Sequence, residues 1–160
     1  MKRFYLSLML FICTFSCFAN ISTWDIGYYV DEFGDKTDEA FLHSETINIK
    51  YGNSKWETQD CRILIDDKYV SFYVGDTYYN DWIIRTKTPE GEIHSYKFIF
   101  DGSSRRLYSY YQSEVVGILN DILKNSRVIA VPDNKYSTDK YDFGIVSIDL
   151  ETLISIRPDF

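Results

Sequence analysis

The sequence predicts a mainly β domain, an antiparallel sandwich or strongly curved sheet carrying one amphipathic helix at about 113–124. Three observations predict it. Apolar and polar residues alternate with a period of two from Trp24 to about Tyr111, as half-buried strands require. The links between these runs are short and leave no room for the helical crossovers that parallel strands need. Only one segment, 113–124, repeats its apolar residues at helical spacing.

Taken in order, residues 1–19 read as a signal peptide, and 20–160 as a single globular domain. Lys2 and Arg3 form a positive n-region, 4–15 is an apolar h-region, and small residues lead to a cut after Ala19, before Asn20. The apolar run is about 15 residues, short of the roughly 20 that span a bilayer, which disfavours a retained anchor. A further reading rests on Thr14-Phe15-Ser16-Cys17. It resembles a bacterial lipobox in the small residue before the cysteine, lacks the usual Leu three residues upstream, and would make Cys17 an acylated first residue. The expected location is the periplasm or the extracellular space, free or lipid-anchored at Cys17.

Removal of this segment changes the composition. Lys2 and Arg3 leave while all 24 acidic residues stay, so the formal charge of −7 drops by two, to about −9. An acidic chain offers little of the lysine and arginine neutralisation that supplies nucleic-acid affinity, and anionic lipid headgroups repel it. Cys13 and Cys17 leave too, so Cys61 is the one cysteine of the mature chain and no internal disulfide is expected. Its setting at the start of a strand predicts a buried small hydrophobe.

The strands follow in turn. Residues 24–30 alternate and break at Asp31-Glu32-Phe33-Gly34-Asp35, a solvated turn in which Gly34 permits the bend and Phe33 is expected to plug the core. Residues 44–51 alternate again and stop at the Gly52-Asn53-Ser54 cluster. Residues 61–65 and 69–74 form a hairpin across Asp66-Asp67-Lys68. Residues 82–88 and 93–100 form the clearest hairpin, because Pro89 fixes one backbone angle of its turn and Gly91 accepts a positive one. Ser113 is the expected N-cap of the helix, Glu114 suits the dipole of its first turn, and Asn125 its end. Strands at 127–131 and 142–149 flank a polar loop.

The opening Trp24-Asp25-Ile26, the run Asp31-Glu32-Phe33-Gly34-Asp35-Lys36-Thr37 and the late Tyr141-Asp142-Phe143 strand together resemble a group of small exported, periplasmic bacterial proteins. That resemblance implies a β-sandwich-like periplasmic domain. It brings no activity, cofactor or catalytic residue.

Chemistry-bearing patterns are sparse. His43 and His94 stand alone in expected strands, without the convergent ligands of a metal site. The acidic stretch 31–39 fails the EF-hand spacing, since Phe33 takes the place of the second ligand and Gly34 comes two places early. No nucleophile elbow or phosphate-cradling loop is present, and neither catalytic residues nor a cofactor are predicted. Tyr78, Tyr79 and Trp82, beside Asn80 and Asp81, offer two readings: an aromatic platform for a sugar ring or a peptide, or anchors at strand ends in the core. The cluster Tyr108-Ser109-Tyr110-Tyr111 offers the same pair. The chain ends with apolar residues at alternate positions before a terminal Phe160, which resembles the last strand of an outer-membrane barrel. The expected role is non-catalytic binding or accessory work in the envelope, with an envelope protein or glycan as partner and no nucleic acid. A hydrolase acting on glycans or peptides through carboxylates is the alternative, and a small outer-membrane barrel the second.

Overall fold

The computed structural model describes residues 20–45, 47–52 and 55–160. The expected signal peptide, with Cys17 and Ala19, and the turn residues Asn53 and Ser54 lie outside the described residues. The chain forms β1 (Asn20–Ile21), β2 (Trp24–Val30), β3 (Lys36–Ser44), β4 (Ile47–Gly52), β5 (Lys55–Ile65), β6 (Val70–Tyr73), β7 (Asp81–Lys87), β8 (Ile93–Asp101) and β9 (Arg106–Tyr108). Helix α1 (Gln112–Leu123), β10 (Ser126–Pro132), β11 (Lys140–Val146) and helix α2 (Leu150–Ile154) follow. The protein is mainly β, as its periodicity predicts.

All strands belong to one sheet, ordered β1-β11-β10-β7-β8-β9-β6-β5-β3-β2, with β4 pairing both β11 and β5. That sheet is strongly curved. In a flat sheet β6 and β11, five strand spacings apart, would lie about 24 Å from each other. Instead the rings of Phe72 on β6 and Phe143 on β11 meet at 5.1 Å. Curvature brings the inward side chains together: Phe72 also meets Phe98 at 5.5 Å, and Trp82 meets Tyr141 at 5.5 Å. Every pairing is antiparallel except that of β1, whose Asn20 and Ile21 run parallel to Ile145 and Val146 of β11. This exception escapes the rule for consecutive strands, because nearly the whole chain serves as the crossover.

Helix α1 packs against β7, β8 and β10 and sends Val115, Ile118, Leu119 and Ile122 into the core. It begins one residue before the expected Ser113 cap. Tyr111 occupies the N-cap without a side-chain bond, and Ser109 Oγ accepts from the Tyr111 N–H instead. Asn125 ends the helix in the left-handed region, at φ 59°. The hairpin turn at 88–92 also forms as its residues dictate, with Gly91 at φ 94°. Cys61 is buried. No helix among the described residues is long and apolar enough to cross a membrane.

Two expectations fail here. Phe33 does not plug the core; it is 83% exposed. The turn is held instead by Asp31, whose Oδ1 accepts from the N–H groups of Phe33 and Asp35, both at 2.9 Å. The C-terminal segment is not a strand either. Asp149 caps α2, accepting from the Thr152 N–H at 2.8 Å and hydroxyl at 2.7 Å. Leu153 and Arg157, four apart, are then buried on one side of a helical turn, so the barrel-like ending is an accident of alternation.

Candidate functional site

The convex face of β5, β6 and β9 carries the side chains that alternate with the core. Ile63, Ile65, Phe72 and Leu107 point inward, so Arg62, Leu64, Ser71, Tyr73, Arg106 and Tyr108 stand on the opposite face, brought side by side by the pairs Arg62–Tyr73, Leu64–Ser71, Tyr73–Arg106 and Ser71–Tyr108. Two hollows lie on this face, and a third adjoins it beside Tyr108. One of about 360 Å³ is lined by Asp60, Arg62, Leu64, Tyr73 and Arg106. The next, about 320 Å³, has Arg106 and Tyr108 as walls with Tyr29, Asp66 and Tyr69 around them. A third, about 140 Å³, lies on the other side of Tyr108, between Tyr110, Tyr111 and the β7–β8 residues Asp81, Trp82 and Phe98. Arg106 lines the first two and Tyr108 the last two, so the hollows are neighbours and form the candidate groove.

Tyrosines give this groove its chemistry. Tyr69 and Tyr108 pack edge to face at 6.4 Å, and Tyr108 and Tyr110 at 4.9 Å with their hydroxyls 2.6 Å apart. The Tyr108 hydroxyl is raised to about 12 by its hydrogen bond with Tyr110, with burial next in effect. Tyr29 reaches over from β2 and donates to Asp66 Oδ2 at 2.9 Å. Burial and the Asp66 carboxylate push its hydroxyl up to about 12, against a downward pull from Arg106. Both phenols therefore stay protonated at neutral pH and can donate hydrogen bonds. Asp66 itself is fixed in place, because its Oδ1 accepts from the N–H groups of Lys68 and Tyr69 and its backbone carbonyl from Arg157. Arg106 supplies a cation whose Nε is buried with no hydrogen-bond partner among the described residues.

No protein-family model matches this chain, and neither the curated proteins nor the solved structures contain a match.

The residues singled out from sequence are distributed differently. Trp82 is 1% exposed, donates its indole N–H to the Tyr79 carbonyl at 3.0 Å, and packs against the Tyr79 ring at 6.1 Å. It takes the core-anchor reading, and a three-ring platform does not form; only Tyr78 is fully exposed. Of the second cluster, Tyr110 and Tyr111 are exposed and Tyr108 lines the groove. Arg106 and Tyr29 were missed. Alternation of Arg106 with the apolar Leu107 marks it as outward-facing, but nothing local shows that the Tyr29 side chain reaches the same hollow.

His94 is held in a side-chain network. Its Nδ1 lies 2.9 Å from Asp121 Oδ2, and Asp121 also accepts from the Thr86 and Tyr96 hydroxyls, the latter at 2.7 Å. Burial pushes the Asp121 carboxyl up, yet these hydrogen bonds outweigh it and hold the carboxyl below its usual range. The Tyr96 hydroxyl is raised by its burial and by Asp121. Register explains the assembly: Thr86 pairs with His94, Tyr96 is two residues further along β8 on the same face, and α1 crosses above them. The second buried carboxylate, Asp142, is gripped by Arg127 through Nε and Nη2. No cluster of His, Cys, Asp or Glu among the described residues is arranged to hold a metal.

Proposed function

We propose that this is an exported envelope protein with a non-catalytic binding role, and that the convex groove holds an extended segment of an envelope glycan or protein. The observation that carries the reading is that three neighbouring hollows have Arg106 or Tyr108 in their lining. A ligand of one ring or one side chain needs a single pocket, whereas a series of them suits a polymer. Tyrosine faces pack against sugar rings and peptide planes, and their hydroxyls and Arg106 supply directed donors.

Immobilised envelope glycan and, separately, an envelope protein extract provide the test. Wild type is expected to be retained on one of them, and Arg106→Ala with Tyr108→Ala to lower that retention about tenfold or more. Both substitutions are on the outer face, so circular dichroism should show an unchanged fold. A folded double variant retained as strongly as wild type would sink the groove as the binding site.

A further inference from the structure

The β2–β3 hairpin extends as an arm that displays apolar side chains in an acidic setting. Ile26, Tyr28 and Val30 are exposed along one side of it, and Phe33 is exposed at its tip. Asp31 holds that tip rigid through two backbone donors, while a backbone bond from Asp31 N–H to the Asp35 carbonyl closes the turn. Asp31, Glu32 and Asp35 flank Phe33 in the chain, with Asp38 and Glu39 a few residues on, while Lys36 Nζ sits 3.2 Å over the Tyr28 ring. An exposed aromatic at the tip of an acidic, hydrogen-bonded turn suits insertion into an apolar hollow with a cationic rim.

Such a hollow exists elsewhere on the same molecule. On the convex side of β7, β10 and β11 a cavity of about 300 Å³ is lined by Ile93 and Ile129 and bordered by Arg85, Lys87, Arg127 and Lys140. Strand register gathers these cations, pairing Arg127 with Lys87 and Ile129 with Arg85. Asp142 offsets part of the charge by holding Arg127, but Arg85 and Lys87 take part in no ion pair among the described residues. Ile93 is 65% exposed beside them. A space of about 150 Å³ accepts benzene, so a phenylalanine ring fits with room for its backbone.

We propose that the protein assembles head to tail with copies of itself, Phe33 of one copy entering the Ile93/Ile129 hollow of the next while its carboxylates face Arg85 and Lys87. Tip and hollow are different surfaces, so the contact is heterologous and leads to open chains or rings rather than to a closed two-fold dimer. Because its polar part is charge pairing at the rim, the contact should weaken as salt screens it.

Sedimentation velocity of the purified protein over a range of concentrations tests this, at about 0.1 M and about 1 M salt. Wild type is expected to form concentration-dependent oligomers that shrink at the higher salt. Phe33→Asp removes the insert and Arg85→Glu with Lys87→Glu reverses the rim; each should sediment as a monomer, weakened about tenfold or more in association. Mixed together, the two variants retain one intact tip and one intact hollow, and should form a 1:1 dimer that grows no further. All three positions are exposed, and near-ultraviolet circular dichroism verifies their folding. A wild type that stays monomeric throughout, folded variants that assemble as wild type does, or a mixture that fails to pair would overturn the proposal.

Discussion

At Asp121, burial and hydrogen bonding pull the carboxyl in opposite directions, and three donors decide the outcome. Since the folded carboxyl titrates below its unfolded value of about 3.9, its stabilisation is complete above that pH and is lost as pH falls through the lowered folded value. The melting temperature of wild type should therefore decline below about pH 4 more steeply than that of Asp121→Asn, which a series of calorimetric scans would check. Asp121→Ala leaves the Thr86, Tyr96 and His94 donors facing nothing. Urea unfolding should show a loss of about 3 kcal/mol. The sequence makes none of this visible, because Asp121 sits among apolar helix positions and its three partners lie 25 to 35 residues away. Trp82 and Phe33 show the same limit: one is buried and the other exposed, although both are large aromatics beside acidic turn residues.

Among the elements, helix α1 owes its seat to a missing side chain. A Cβ on Gly117 would come within 2.6 Å of the Tyr96 ring, and that ring is pinned by its hydroxyl on Asp121. In an open helix Gly→Ala gains about 1 kcal/mol. Here overpacking of about 1–3 kcal/mol should win, so Gly117→Ala is expected to lower the urea midpoint, and a raised midpoint would contradict the close packing. Both hairpins at 66–68 and 88–92 and the helix were legible because local turn chemistry and periodicity determine them. Helix α2 was not: Ile154, Ile156 and Phe160 fit alternation, whereas Leu153 fits only a helical turn, which the Asp149 cap with Thr152 decides. The groove was legible in part, through Tyr108 and its neighbours, whereas Tyr29 joins it by a tertiary contact no spacing encodes.

Across the whole molecule, protection should follow curvature. Core strands β5 to β8, β10 and β11 supply buried core side chains, the aromatics from β6, β7, β8 and β11, while the β2–β3 arm places most of its side chains in water. Native-state hydrogen exchange measured by mass spectrometry should find the amides of 25–40 opening first and those of 82–86 and 126–130 last; equal protection throughout would show that the arm is part of the cooperative core. A curved antiparallel sheet was legible from the alternation and the short links, but the pairing of β4 with both β11 and β5 depends on long-range closure and was not. The parallel pair at β1 carries a further consequence. Ile21 finds Val146 as its partner, its carbonyl accepts from the Ser147 N–H at 2.8 Å, and the Trp24 indole donates to the Ser147 carbonyl. Ile21 thus waits for a partner 126 residues later in the chain, so this edge of the sheet cannot pair until Ser147 has left the ribosome.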